Sequence, residues 1–191
     1  GFDLRQYQFG IGKGGPLGWA GRISPEKGLE DAVAVANALN DRLLVWGFIE
    51  DEGYASEIEA SVPTGTIQWR GFLRTTDFQR ELRTCRAFLN TPKWNEAYGN
   101  VVVEAMACGV PVVAYDRGGP GELVDSGLTG WLVPSGDVPA LIEATNRISE
   151  IDRRNCRRWA EKSASQDVFA RRVVDWLKAG IGADSPGLSH E

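Results

Sequence analysis

The stretch PLGWAGRISPEKGLEDAVAVANALNDRLLVWGF, residues 16–48, decides the fold. It opens on an apolar run, PLGWAGRI, passes through a loop containing Pro25, and closes on a second apolar run, RLLVWGF. Between the runs Leu29, Ala32, Val33, Ala36 and Leu39 recur at helical spacing, which gives one apolar helix face. A helix laid between two short apolar strands makes a crossover unit, and such units build parallel sheets.

The alternation continues down the chain. Further apolar runs are TIQWRGF (66–72), AFLNTP (87–92), PVVAYD (111–116) and GWLVPS (130–135). Helical patterns are expected over 51–60, 75–86, 100–108 and 137–149, with Thr75 or Thr76 capping the second and Asp137 the last. Gly109 and Pro111 stop the 100–108 helix, since one suits a helix C-terminus and the other forbids continuation. The fold class is therefore α/β, a Rossmann-like doubly wound parallel sheet of about six strands with helices on both faces. Such sheets bind ligands beyond the carboxyl ends of their strands, near the point where strand order reverses.

Composition narrows the function. A chain of 191 residues is one generous domain or half of a two-domain enzyme. The net charge of −5 argues against a nucleic-acid surface, and no run is apolar enough to insert in a membrane. No signal peptide opens the sequence, and three cysteines without metal-ligand spacing fit reduced thiols in the cytoplasm. The only histidine, His190, stands one residue from the end, so a histidine base or a histidine-bound metal would have to come from elsewhere. GIGKGG at 10–15 has the spacing of a dinucleotide-binding loop, but a strand-like run follows it where a helix is needed. It is read as a flexible lead-in.

Two loops carry chemistry. After the first strand come Arg22 and Lys27, at the entry to a helix, with Gly21 and Gly28 permitting close backbone approach. Two cations and free helix amides make an anion site. A solvated basic loop is the competing reading of the same residues. After the fourth strand, TPKWNEAYGNVVVEAMACGVP places Glu96 in a loop, Gly99 and Asn100 at a helix start and Glu104 about one turn into that helix. The first and fourth strands are neighbours in a doubly wound sheet, so both loops would face one crevice. With cations for a diphosphate, the carboxylates become free to accept hydrogen bonds from sugar hydroxyls. Surface glutamates remain the alternative, and these residues by themselves leave both readings open. Trp19, Trp46 and Trp69 are expected in the core, Trp94 at the cleft, and DRRNCRR (152–158) as a solvated helix face.

GRISPEKG, EAYGNVVVEAMACGVPVVA, GGPGELV and GLTGWLV together resemble the carboxyl-terminal half of GT-B glycosyltransferases of retaining family 4 (glycosyltransferase group 1), over nearly all of residues 1–180. The two glutamates with seven residues between them are the most specific feature. The resemblance implies that Arg22 and Lys27 hold the donor diphosphate, that Glu104 takes the ribose hydroxyls and that Glu96 faces the transferred sugar. Gly21, Gly99, Asn100 and Val101 would supply close backbone contacts, and Arg70, Gly71 and Phe72 would lie beside the nucleobase. Tyr98 stands where the family commonly has phenylalanine.

Arg22, Lys27 and Glu96 are thus the expected catalytic set, acting by neutralising a leaving diphosphate and orienting the sugar. No D-x-D sequence occurs, so no metal cofactor is expected; the ligand is UDP or a UDP-sugar. The implied organisation is a linker over 1–16, a nucleotide-sugar-binding domain over 17–180 and a flexible tail over 181–191. The partner would be the protein's own N-terminal acceptor-binding domain, without which the chain alone is expected to be inactive. The motifs look most similar to enzymes that transfer glucose from UDP-glucose to tetrahydrobiopterin. A noncatalytic nucleotide-sugar-binding module, or half of a GT-B nucleotide-sugar 2-epimerase, is the alternative.

Overall fold

The computed structural model describes residues 1–183. Six strands, β1 (Leu17–Ala20), β2 (Leu43–Trp46), β3 (Ile67–Gly71), β4 (Ala87–Asn90), β5 (Val112–Tyr115) and β6 (Gly130–Val133), fall inside the six apolar runs. They form one parallel sheet in the order β3-β2-β1-β4-β5-β6. Order reverses between β1 and β4, where Leu17 pairs with Ala87 and Gly18 with Phe88. Strands β2, β4 and β5 are buried at every position, which is why their sequences are continuous apolar runs and do not alternate.

The helices are α1 (Leu29–Ala38), α2 (Glu52–Ala60), α3 (Thr75–Leu82), α4 (Asn100–Ala107), α5 (Gly118–Leu123), α6 (Val138–Asn146), α7 (Arg153–Ser163) and α8 (Gln166–Ala183). Helix α1 buries Leu29, Ala32, Val33 and Ala36 as expected, and Val35 besides, while Leu39 falls just past its end and is partly buried. Helix α4 is the most enclosed: Val102, Val103, Ala105, Met106 and Ala107 have no exposed surface. Truncating Met106 to alanine would cost about 2–5 kcal/mol, the range for emptying a packed core site.

Several local expectations need correction. Helix α3 starts at Thr75 after Arg74, and neither threonine caps it through its side chain; it ends at Leu82, short of residue 86. Asp137 does cap α6, accepting from the Ala140 amide at 2.9 Å. Trp19 and Trp46 are core residues, and Trp69 is partly buried against that core. The 152–158 segment is not a uniformly solvated face. Arg153 donates to the carbonyls of Gly10, Cys85 and Arg83, and Arg157 to those of Tyr7 and Ala107.

The opening residues up to Gly10 are likewise packed. Leu4 and Tyr7 are buried, Phe2 bridges to Ser165, and the Gly10 amide donates to Cys108 O at 3.0 Å. The arginines of α7 thus satisfy carbonyls of this segment, those of Tyr7 and Gly10, together with carbonyls of Arg83, Cys85 and Ala107. Of the expected tail, residues 184–191, including His190, lie outside the described residues, and α8 continues to Ala183. Cys85, Cys108 and Cys156 are free and buried, and burial pushes the Cys108 and Cys156 thiols up to about 12. Among the described residues, no helix is long and apolar enough to cross a membrane.

Candidate functional site

The site begins where β1 ends. Beyond Ala20, the Gly21 and Ile23 amides donate to Trp46 O and Phe48 O, so the chain keeps following β2 before it turns. Pro25–Lys27 form a 3₁₀ turn, and Gly28 leads into α1 with φ +67°, a left-handed conformation suited to glycine. A Cβ at Gly28 would stand 2.0 Å from Thr91 O. The Thr91 hydroxyl donates to Gly28 O at 2.7 Å and accepts from Trp19 Nε1 at 3.2 Å. These contacts seal the loop after β1 against the loop after β4. As a result Lys27 Nζ and Glu96 Oε1, far apart in sequence, meet at 3.0 Å.

Glu96 is held from below. Its carbonyl accepts from the Gly119 amide at 2.7 Å, and a Cβ at Gly118 would stand 2.5 Å from that same oxygen. The GGPGEL sequence is therefore the floor on which the glutamate loop rests. Gly99, with φ +89°, opens α4. The Asn100 and Val101 amides fall in the first turn, where backbone donors have no partner within the helix and the dipole favours an anion.

A cleft of about 430 Å³ lies over this arrangement, lined by Gly21, Arg22, Lys27, Glu96, Tyr98 and the 99–101 backbone, among others. Trp94 borders it, with Lys27 Nζ 4.9 Å from the ring centroid. Arg22 is engaged by Glu50 at 3.0 and 3.1 Å and by Glu26 at 3.2 Å. Both cations of the expected anion site thus already hold carboxylates.

A second cleft, of about 550 Å³, adjoins the first and shares Ala20, Gly21, Arg22 and Val101 with it. Its walls carry Trp46, Phe48, Phe72 and Phe78, and Glu104 lines it. Among the described residues, Glu104 has no cation partner. Its Oε1 instead accepts from the Tyr7 hydroxyl at 2.8 Å. Burial raises the Glu104 carboxyl above its usual 4.5, and the Tyr7 hydrogen bond opposes part of that rise. Burial, reinforced by the Glu104 charge, pushes the Tyr7 phenol far up, so it remains a proton donor at any ordinary pH.

The expected residues therefore divide between two adjoining clefts. Lys27, Glu96, Tyr98, Gly99 and Asn100 line the first, Phe72 and Glu104 the second, and Gly21, Arg22 and Val101 both. Arg70 and Gly71 line neither. The Arg70 guanidinium pairs with Glu81, which also accepts from Trp46 Nε1 at 2.9 Å. Phe72, 77% exposed, is the member of that loop that reaches a cleft wall. Sequence reasoning missed Tyr7, Glu50 and the supporting role of GGPGEL. The glycine cluster was the one usable signal, because close backbone approach needs glycine. Tyr7 and Glu50 are brought in only by tertiary folding.

Comparison with known proteins gives this arrangement a class. The chain belongs to the family of glycosyl transferases group 1, whose model matches residues 16–166. It is 30% identical over 182 residues to a 2-deoxystreptamine N-acetyl-D-glucosaminyltransferase of Streptomyces fradiae, covering 90% of this chain and 42% of that one. It is 36% identical over 117 residues to a GDP-mannose-dependent alpha-mannosyltransferase of Mycolicibacterium smegmatis, covering 61% and 30%. Among solved structures, AviGT4, a glycosyltransferase involved in avilamycin A biosynthesis, superposes with a TM-score of 0.83 at 26% identity, over 96% of this chain and 57% of that one. HepE of Anabaena, in complex with UDP-glucose, shares the fold with a TM-score of 0.81 at 22% identity, over 94% and 56%. The GT-B assignment of the fold holds. The chain spans less than half the length of these curated relatives.

Proposed function

We propose that the chain is the donor-binding half of a retaining glycosyltransferase, which transfers a hexosyl group, glucose from UDP-glucose, to an acceptor held by an N-terminal domain of the whole protein. The observation that carries this reading is the meeting of Lys27 and Glu96 at the β1/β4 switch, beside Arg22 and the N-terminus of α4. In the ligand-bound site, Arg22, Lys27 and the α4 amides take the diphosphate and stabilise the charge that develops as it leaves. No metal is needed for that step. Glu96, released from Lys27, accepts hydroxyls of the transferred sugar, and Glu104 accepts those of the ribose. Residues 17–180 form the donor-binding unit, and the chain alone does not turn over. The free, buried cysteines fit a cytoplasmic protein.

Calorimetry with UDP, with and without magnesium, together with a transfer assay on the full-length protein, tests the proposal. Magnesium-independent UDP binding and loss of UDP-glucose with retention at the anomeric centre are expected. Absence of UDP binding would overturn it. Binding without transfer by the full-length protein would favour a noncatalytic module, and inversion at C2 a 2-epimerase.

A further inference from the structure

Asn90 is the last residue of β4 and is only 5% exposed. It lies in the wall of the first cleft with Lys27, Trp94 and Glu96, and not in the wall of the second. Its Oδ1 is shut off from solvent and has no hydrogen-bond partner among the described residues. The contrast with the next residue is informative, because Thr91 spends its hydroxyl on Gly28 and Trp19 in joining the two loops.

A buried carboxamide oxygen without a partner weakens the folded state, and a leucine of similar volume would avoid that cost. The rest of β4, Ala87, Phe88 and Leu89, is wholly apolar and fully buried. Nothing in the packing of this strand calls for a polar group at its end. The cleft does. A carboxamide is both donor and acceptor, and turning it about its last torsion presents either to the same place. A sugar hydroxyl is also both. A charged anion partner is less suited, since Lys27, Arg22 and the α4 amides already supply donors there.

We propose that Asn90 is a specificity-determining residue whose carboxamide hydrogen-bonds a hydroxyl of the glycosyl group carried by the nucleotide-sugar donor. The inference rests on the donor-binding reading above and deepens it. A buried group that needs a hydroxyl partner rejects donors lacking it, because the carboxamide then stays unpaired.

The test compares wild-type full-length protein with Asn90→Leu, using UDP, UDP-glucose and monodeoxy UDP-glucose analogues in calorimetry, and thermal unfolding as a second readout. Asn90→Leu is expected to melt at or above the wild-type temperature and to bind UDP within about twofold of wild type. It should bind UDP-glucose roughly tenfold or more weakly, the scale of one hydrogen bond to a buried polar group. Wild type should reject one deoxy analogue by a similar factor, and the variant should accept it as well as UDP-glucose. Asn90→Ala supplies the same ligand ratios if Asn90→Leu does not fold. An unchanged ratio of UDP-glucose to UDP affinity in the variant, with a lower melting temperature, would make Asn90 a structural residue and overturn the inference alone. Wild-type protein that binds neither ligand would overturn the donor-binding reading and the inference with it.

Discussion

Glu96 and Glu104 stand on the same loop-and-helix segment, yet the fold treats them in opposite ways. Glu96 meets a lysine at 3.0 Å, so its charge is matched before any ligand arrives. Glu104 is half-buried with a neutral phenol as its hydrogen-bond partner, and its carboxyl is raised by partial desolvation. A matched carboxylate must exchange one partner for another when it binds. An unmatched, partly desolvated one gains from every further donor it accepts. On the proposed donor-binding reading, Glu104 is the one suited to hold a fixed part of the ligand, and Glu96 a part that changes during the reaction.

Exchanging each glutamate for glutamine is the strongest way to break this comparison. Glu104→Gln keeps one acceptor but loses the charge, and should weaken UDP and UDP-glucose alike by about 1–3 kcal/mol. Glu96→Gln should weaken UDP-glucose by a similar amount while leaving UDP unharmed. Titration of both ligands against both variants reads the pattern. Equal UDP losses would mean that the two carboxylates are not divided in this way.

Lys27 sharpens the division further. Lys27→Ala should lower UDP affinity by about 1.5–3 kcal/mol, as expected for a charged hydrogen bond to phosphate. In that background Glu96 has lost its cation, so Glu96→Gln should then cost UDP binding nothing more. A further loss of UDP affinity in the double variant would show that Glu96 touches UDP itself and that the two glutamates do not divide the ligand in this way. Uridine without phosphates should be nearly insensitive to Lys27.

Much of this site could be read from the sequence because its parts are local. Gly28 and Gly99 mark helix entries, Arg22 and Lys27 follow one strand, and Glu96 follows another. Strand order then brings the loops together. What could not be read depends on long-range packing. Arg70 is expected beside the nucleobase, and only the folded chain shows its guanidinium paired with Glu81, in the last turn of α3. Arg153 and Arg157 looked like a solvated run, but a packed N-terminal segment supplies carbonyls for them. Tyr7 had no local pattern to mark it at all, because its role exists only once the chain has closed on α4.

Tyr7 gives the smallest expected effect and the most selective one. Tyr7→Phe removes the single hydrogen bond that opposes the burial of the Glu104 charge, so the Glu104 carboxyl should rise still further above 4.5. The sign for stability follows from linkage. A carboxyl raised in the folded state favours folding while it is protonated, and that contribution is lost as pH rises through the raised value. Wild-type protein should therefore lose stability across the pH window above 4.5, and Glu104→Gln, which has no proton to lose, should not. Tyr7→Phe should show the wild-type loss displaced to higher pH, with UDP affinity about 0.5–1.5 kcal/mol weaker near neutrality. UDP affinity should climb over the same window as Glu104 ionises, and the climb should vanish in Glu104→Gln. A Tyr7→Phe protein whose pH profiles overlay wild type in both measurements would mean that the hydroxyl does not set the state of Glu104. The asymmetry between the two glutamates would then rest on the lysine alone.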